Sequence, residues 1–299
     1  MDTTQAVNME GLQYLESIDD NSVDLVFTDP PYITSRDTGM DKWVDHVKER
    51  NAATTDFKTE AQWHALKTAT EWKAWLKAGE YYTSKEQEQA LKVAKRNFLK
   101  FGSIYGAKYA VKTDYGKWDS EFKMEELSDF VGEFYRVLRQ GGTCIIFFDI
   151  WKLSCLKEAM EDKGFKQLRF IEWIKTNPQP LNSSRNYLTN CREIALLGVK
   201  GGSPTFNSKY DNAIYEYPIQ GGKYRIMPTQ KSTPLCEALI EKHSNEGDLV
   251  LDPFMGAGTT AVAAANTGRR FTGCELREDM FNQMMERIEG ELNGKEEQL

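Results

Sequence analysis

Hydrophobic and polar positions divide the chain into three regions. The first region, residues 1–33, is predicted to form a strand, a helix and a strand: apolar residues recur at helical spacing over 8–18, and the short apolar run 23–28 is typical of a buried strand. The second region, 34–116, is rich in Lys, Glu, Ala, Thr and Trp and has few strand-like runs. From residue 124 onwards, short apolar runs alternate with amphipathic helical segments. This alternation predicts a largely parallel sheet with helices on both faces.

The second region predicts helices rather than strands. Residues 60–77 carry Trp and Leu at helical spacing, and a second helical pattern covers 84–98. Region 34–116 is therefore predicted to be a mostly helical insertion in a core formed by residues 1–33 and 117–299.

The third region supplies most of the predicted core. Its predicted helices are 125–138, 154–163, 233–242, 259–267 and 279–292. Its predicted strands are 143–148, 168–174, 193–199, 248–252 and 270–275. Several Gly and Pro residues after the third of these strands predict loops, and residues 177–228 form a loop-rich, basic segment.

Composition narrows the class of protein. The chain has 299 residues, of which 40% are hydrophobic, and no apolar run reaches the roughly 20 residues that span a membrane. The first residues lack the basic and apolar parts of a signal peptide, so we expect a cytoplasmic protein. The five cysteines are scattered singly, which argues against a structural zinc site and against a disulfide framework. No metal site is expected.

Charge is distributed unevenly along the chain. The net charge is −7, yet residues 34–117 carry 16 Lys or Arg against 11 Asp or Glu. Residues 166–231 carry ten basic side chains and only four acidic ones. Two basic stretches of this kind are compatible with a polyanionic partner, because binding depends on the local field. Ordinary solvated surfaces would give the same balance, so charge alone leaves both interpretations open.

A nucleoside-binding pattern lies in the third region. An apolar strand ends at Asp252 and is followed by Phe254-x-Gly256-x-Gly258 and a helix. Such a glycine turn lets the backbone approach a ligand at the carboxyl edge of a sheet. The next strand ends at Glu275, whose carboxylate could accept hydrogen bonds from two ribose hydroxyls. The same residues fit a loose dinucleotide fingerprint, but only 24 residues follow Glu275, too few to complete an NAD-binding sheet.

A second pattern, Asp29-Pro30-Pro31-Tyr32, directly follows the predicted strand 23–28. Its residue types suit methylation of an exocyclic amine, whose lone pair is delocalised into the base. A carboxylate and a fixed carbonyl that accept the two N–H bonds would free that lone pair, and the prolines would hold the carbonyl in place. The tyrosine offers a face on which a flipped base could stack.

The two patterns together support a family resemblance. The chain resembles the permuted DNA amino-methyltransferases, in which a D-P-P-Y motif precedes the cofactor motif F-x-G-x-G. Shorter similarities to the family are Asn21-Ser22-Val23-Asp24, Lys117-Trp118-Asp119, Lys175-Thr176-Asn177-Pro178 and Pro228-Thr229-Gln230-Lys231. The resemblance covers 1–33 and 117–290. It implies an α/β fold of the Rossmann-like class I methyltransferase type, circularly permuted, with a mostly parallel seven-stranded sheet and a helical insertion.

The resemblance also implies ligands and roles. It implies S-adenosylmethionine as the cofactor and double-stranded DNA as the substrate; a homodimer stays open. The implied catalytic residues are Asp29, Pro30, Pro31 and Tyr32. The implied cofactor-binding residues are Asn8, Asp29, Thr229, Gln230, Lys231, Asp252, Phe254, Gly256, Gly258, Thr259 and Glu275. Within this set, the residues from Thr229 to Lys231 would approach the methionine end of the cofactor. DNA contacts are expected from Lys175, Asn177, Arg185, Arg192, Lys209 and Arg225.

The sequence departs from the family pattern at three places. Asn8 stands where relatives often have Asp near the cofactor's adenine ring, and Met227 stands where the family usually has His. The insertion 34–116 is longer than the usual loop, basic and rich in Trp. We expect it to take part in target recognition, although a packing or dimerisation element would have the same composition.

The sequence leaves alternatives open for the target base and for the reaction class. The Asp at position 29 favours N6 of adenine, because the cytosine-N4 relatives more often carry Ser there; cytosine N4 is the alternative. Methylation at cytosine C5 is excluded, since no Pro-Cys dipeptide occurs. An RNA methyltransferase and a methyltransferase-like subunit that only binds DNA also stay open.

Overall fold

The structure is a computed structural model that describes residues 4–32, 59–66, 84–101, 122–178 and 189–296. The chain divides into two compact units, one formed by Met1–Thr34 and Lys117–Leu299 and the other by Ser35–Gly116. Among the described helices, none is long and apolar enough to cross a membrane.

The larger unit contains eight strands and six described α-helices. The strands are β1 (Thr4–Asn8), β2 (Val23–Thr28), β3 (Leu138–Phe148), β4 (Lys166–Lys175), β5 (Arg192–Val199), β6 (Ile214–Tyr217), β7 (Leu249–Asp252) and β8 (Arg270–Glu275). Its helices are α1 (Gly11–Glu16), α4 (Met124–Val137), α5 (Leu153–Lys163), α6 (Thr233–His243), α7 (Thr259–Asn266) and α8 (Glu278–Glu296), with a short 3-10 helix at Ile150–Lys152. Helices α2 (Glu60–Leu66) and α3 (Ser84–Phe101) belong to the smaller unit.

All eight strands form one sheet in the order β1-β8-β7-β2-β3-β5-β4-β6. Only β5 is antiparallel to its neighbours; the other pairs are parallel. The predicted Rossmann-like class is confirmed, but the sheet has eight strands where seven were predicted. The extra strand is β6, which lies in a stretch predicted to be loops. Its four residues are too few to show a period-2 pattern, and it forms by pairing with β4, so that Ile214 lies opposite Glu172.

A second difference concerns Gly141 and Gly142, which lie before the strand predicted over 143–148. Strand β3 instead begins at Leu138 and passes through both glycines. The register against β2 shifts there, and Gly141 has φ of +78°, a conformation that favours glycine. The backbone of Lys200 bonds both glycines, so the pair is an irregularity within the strand.

Alternate residues of the central strands face two hydrophobic layers. On one face, Leu25 and Phe27 of β2 pack with buried residues of α6, α7 and α8. On the other face, Val26 packs with buried residues of α1, α4 and α5. The continuous apolar run of β2 follows from this burial on both faces.

Parallel pairing brings five strand ends to one edge of the sheet. Strands β1, β8, β7, β2 and β3 all point the same way. Their carboxyl ends place Asn8, Glu275, Asp252, Asp29 and Phe148 along this edge. Residues that are distant in sequence therefore meet where open α/β sheets bind ligands.

The smaller unit has its own small apolar cluster. Trp63 of α2 packs with Ala94 and Phe98 of α3. Glu60 and Lys95 form an ion pair of 2.9 Å between the same helices. Helix α3 matches the second predicted helix of the insertion, whereas the first predicted helix, 60–77, is described only as far as residue 66.

Candidate active site

The motif Asp29-Pro30-Pro31-Tyr32 lies directly after β2, at the carboxyl edge of the sheet. Lys231 forms an ion pair with Oδ2 of Asp29. Among the residues that the structure describes, Oδ1 of Asp29 and the hydroxyl of Tyr32 are buried and have no partner with good hydrogen-bond geometry, although these two side chains are close enough to form a weak hydrogen bond with each other. The ring of Tyr32 stands edge-on to Phe148, with 6.1 Å between centroids. The motif thus presents to a ligand a carboxylate oxygen and a hydroxyl that have no well-formed hydrogen bond.

Lys231 connects Asp29 to a second carboxylate. Its Nζ lies 3.0 Å from Oε2 of Glu193, at the start of β5, and only 9% of its side chain is exposed. The other oxygen of Glu193 lies 2.6 Å from Nζ of Lys175, the last residue of β4. Four charges therefore alternate in sign from Lys175 at the end of β4 to Asp29 after β2.

Burial and the neighbouring charges shift the pKa values of the side chains in this cluster. Burial raises the pKa of Asp29, and Lys231 only partly offsets this effect. Burial alone would raise the pKa of Glu193 too, but Lys231 and Lys175 hold it below its usual value. Burial alone would lower the pKa of Lys231, yet Asp29 and Glu193 raise it well above its usual value. Burial also raises the pKa of Tyr32, so the phenol stays protonated and able to donate.

Glu275 ends β8 and fixes the glycine turn after β7. Its Oε2 accepts a hydrogen bond of 2.8 Å from the backbone N–H of Gly256, and its Oε1 accepts one of 3.0 Å from Arg277. Burial raises the pKa of this carboxyl, and the two backbone N–H groups oppose that rise. Each carboxylate oxygen can still accept a further hydrogen bond, because each has more than one lone-pair site.

The two glycines of the turn have left-handed backbones. Gly256 has φ of +49° and Gly258 has φ of +73°. A Cβ at Gly258 would lie 2.6 Å from Cγ of Met284 and 2.9 Å from Cδ1 of Ile288. Gly258 is therefore required both by its backbone conformation and by the close packing of α8.

Asp252 lies beneath the turn rather than in the open. Its Oδ1 accepts hydrogen bonds from Thr28 at 2.7 Å and from the backbone N–H of Phe254 at 3.0 Å. Its Oδ2 accepts one from Thr260 at 2.7 Å. Burial raises the pKa of Asp252 to about 6. The residue joins β2 to the glycine turn, and its predicted contact with the cofactor stays a prediction.

Phe254 and Thr259 flank the turn. The ring of Phe254 packs on Phe130 with 4.6 Å between centroids, and it remains partly exposed. Thr259 is buried and accepts a hydrogen bond of 3.2 Å from Arg287, whose guanidinium also bonds the carbonyl of Ala257. Thr259 thus faces the protein interior, and its expected contact with the cofactor stays a prediction.

Three further residues expected at the cofactor are placed as follows. The amide of Asn8 donates to the carbonyls of Glu275 at 2.7 Å and Leu276 at 3.1 Å, so it ties β1 to the end of β8. Gln230 is buried and bonds the backbone of Tyr224 and Ile226. Thr229 is exposed. The side chain of Gln230 therefore stabilises the loop before α6 through hydrogen bonds to the loop's own backbone.

The residues expected to contact DNA do not form one group. Lys175 is engaged with Glu193, and Asn177 accepts a hydrogen bond from the backbone of Ile219 at 2.7 Å. Arg192 is 63% exposed and 3.7 Å from Glu172. Lys209 is exposed and Arg225 donates to the carbonyl of Pro228, whereas Arg185 lies outside the described residues.

Sequence reasoning missed Glu193 and Arg287. Glu193 begins a strand after a loop, and no motif distinguishes it from an ordinary surface carboxylate. Arg287 and Glu291 stand four residues apart on α8, which is common on exposed helix faces, yet this pair is buried at 2.7 Å. The close approach of α8 to Gly258 is what buries them, and that approach depends on tertiary packing.

Comparison with known proteins agrees with this geometry. The family model described as DNA methylase (N6_N4_Mtase) matches residues 23–286. The type II methyltransferase M2.DpnII of Streptococcus pneumoniae is 32% identical over 223 residues, which cover 65% of this chain and 80% of that protein.

Two solved structures have a similar fold. The crystal structure of M1.HpyAVI in complex with SAM has a TM-score of 0.59 and 21% identity, and the match covers 95% of this chain and 98% of that one. The cytosine-N4-specific PvuII DNA methyltransferase has a TM-score of 0.58 and 14% identity, over 96% and 88% of the two chains.

A Rossmann-like sheet with a D-P-P-Y loop and a glycine turn at one edge defines a class of group-transfer enzyme. The chain belongs to the DNA methylase family of N6- and N4-type amino-methyltransferases.

Proposed function

We propose that this protein transfers a methyl group from S-adenosylmethionine to the exocyclic N6 of adenine in DNA. One observation carries the proposal. Asp29 has one oxygen held by Lys231 and one buried oxygen that makes no well-formed hydrogen bond with the described residues, at the edge that also holds the glycine turn. This is the acceptor that an amino group with two N–H bonds requires.

The chain's own residues would prepare the amine as follows. Oδ1 of Asp29 would accept one N–H bond and the carbonyl of Pro30 the other, so that the nitrogen lone pair leaves the ring system and becomes nucleophilic. After transfer the nitrogen carries one proton too many. Asp29 can take it, because its raised pKa makes it a better base than an exposed carboxylate. Tyr32 would stack on the flipped base.

The residues at the glycine turn fit S-adenosylmethionine. Gly256 and Gly258 expose backbone near the end of β7, and Glu275 lies at the end of the adjacent strand with acceptor capacity left for a ribose. When bound, the cofactor supplies a methyl group on a sulfonium centre and is left as a thioether. Phe254 would contact the cofactor from its exposed side, while Asn8 would contact it only through its free Oδ1, since its amide donates to backbone carbonyls.

Replacing Glu275 by alanine should weaken cofactor binding by about ten-fold to a hundred-fold, because hydrogen bonds to a charged acceptor contribute about 1.5–3 kcal/mol. Isothermal titration with S-adenosylmethionine and its demethylated product measures the change. Glu246→Ala is the matched control, since that glutamate is exposed at the opposite edge of the sheet. Equal affinities for wild type and Glu275→Ala would contradict the role.

The choice of adenine rests on Asp29, and cytosine N4 is the second candidate because the cytosine-N4-specific PvuII enzyme shares the fold. We expect N6-methyladenine in duplex DNA treated with the protein and S-adenosylmethionine. Nucleoside mass spectrometry of the digested DNA distinguishes the two products. N4-methylcytosine alone would show that the base is wrong while the reaction class is right.

DNA contacts remain a proposal. Among the residues expected at DNA, Arg192 and Lys209 are exposed and therefore suited to phosphate contacts. Target recognition by the insertion 34–116 also stays a prediction, as does a homodimer.

A further inference from the structure

The lysine of the segment Thr229-Gln230-Lys231 is expected, from the family resemblance, to approach the methionine end of the cofactor. Its observed surroundings differ. The ammonium group lies between the carboxylates of Asp29 and Glu193, and the rings of Tyr32 and Phe147 lie 5.7 and 5.1 Å away. Two carboxylates and two aromatic faces already surround the three N–H donors.

We propose that Lys231 is a positioning residue for Asp29. Its ion pair holds Oδ2 and thereby leaves Oδ1 as the single oxygen that faces the target amino group. Glu193 and Lys175 in turn fix Lys231 from the side of β4 and β5. The inference rests on the role of Asp29 proposed above.

The backbone around Lys231 suits this task. The preceding residue, Gln230, is buried and bonds the loop at Tyr224 and Ile226, and α6 begins two residues later at Thr233. The lysine therefore projects from a fixed point, so its long side chain is held at both ends. A carboxylate paired with such a cation loses the freedom to rotate between two equivalent oxygens.

The opposite charges of Lys231 and Glu193 allow the proposal to be tested with two variants that have opposite expected effects. The described titratable groups that face Asp29 and Lys231 are Glu193 from β5, Tyr32 from the same loop, Asp252 from β7, Cys236 from α6 and, behind Glu193, Lys175 from β4. Lys231 lowers the pKa of Asp29 and Glu193 raises it. Removing Lys231 should therefore raise the pKa of Asp29, and removing Glu193 should lower it.

The experiment compares Lys231→Gln and Glu193→Gln with wild type. In the cofactor-free protein, ¹³C NMR of labelled aspartate carboxyls, assigned by the signal lost in Asp29→Asn, gives the pKa of Asp29. We expect it to rise in Lys231→Gln and to fall in Glu193→Gln. The acid limb of the pH profile of kcat/KM for DNA methylation should move the same way. Where the pH lies below both pKa values, a rise of one pKa unit lowers kcat/KM of Lys231→Gln about ten-fold, and the loss is recovered at higher pH.

Controls separate this role from others. Lys242→Gln removes a lysine that is ion-paired with Asp211 at the far end of α6, so it should leave the pKa of Asp29 unchanged. A lower affinity of Lys231→Gln for S-adenosylmethionine, with the pKa of Asp29 unchanged, would overturn the proposal in favour of a cofactor contact. If Lys231→Gln fails to fold, Glu193→Gln decides alone. A lower pKa of Asp29 in that variant supports the proposal, and an unchanged or higher pKa overturns it. Absence of DNA methylation by wild type would instead refute the proposed function.

Discussion

Replacing Asp29 by alanine should reduce methyl transfer to DNA by at least about 10²–10³-fold, the loss that follows removal of one preorganised group that stabilises a transition state. The variant loses the buried oxygen that accepts the amine N–H bond, and it leaves Lys231 facing only Glu193. Cofactor binding should change much less, because the glycine turn is held by Glu275 and Asp252, which the substitution does not touch.

Transfer of a labelled methyl group to duplex DNA, with titration of S-adenosylmethionine in parallel, measures both quantities. Asp20→Ala serves as the control, since Asp20 precedes β2 at the opposite edge of the sheet and pairs there with Arg136. Retention of wild-type kcat by Asp29→Ala would mean that the chemistry lies elsewhere.

The largest loss of stability is expected for Arg287→Met. The guanidinium is buried, it donates to the carbonyl of Ala257 and to Thr259, and its ion pair with Glu291 measures 2.7 Å. Its removal leaves Glu291 without its cation in a site where the carboxylate is only 10% exposed. Breaking such a buried pair costs about 3–5 kcal/mol in the free energy of unfolding. Urea denaturation monitored by circular dichroism measures it.

Two further variants test the reason for that loss. Arg287→Met with Glu291→Gln should be more stable than Arg287→Met alone, because no unpaired charge remains buried. Arg270→Met removes an exposed arginine from the same unit and should change the stability by about 0.5 kcal/mol or less. Equal stabilities for the single and the double variant would show that the buried charge is not the cause.

The sequence predicted the parts of the site that depend on local pattern. Strands β2 and β8 begin and end where the apolar runs do, and Asp29 and Glu275 therefore reach the sheet edge as expected. The glycine turn is equally local, because a strand followed by Gly-x-Gly and a helix has few arrangements. The alternation of strands and helices was sufficient for the fold class.

The remaining features depend on contacts between distant segments. The spacing of Lys231 in its motif gave no sign that its ammonium would pair with Asp29, since that pair joins residues 202 positions apart. Asp252 and Thr259 were expected at the ligand because they adjoin the glycine motif, and no sequence pattern indicated that their side chains would bond Thr28 and Arg287. Strand β6 likewise forms only through its pairing with β4.

The strand order has a consequence for how the protein folds during synthesis. β2 leads into the Asp29-Pro30-Pro31-Tyr32 motif, and its neighbour β7 ends at Asp252, which bonds Thr28 across 224 residues of chain. β1 pairs with β8, which is synthesised later still. An emerging polypeptide therefore leaves β1 and the edge of β2 that faces β7 unpaired until the ribosome has delivered most of the sequence, and such non-local pairing folds slowly. We expect chaperone dependence during expression, and we expect the newly made enzyme to gain its ability to bind S-adenosylmethionine in a single late step.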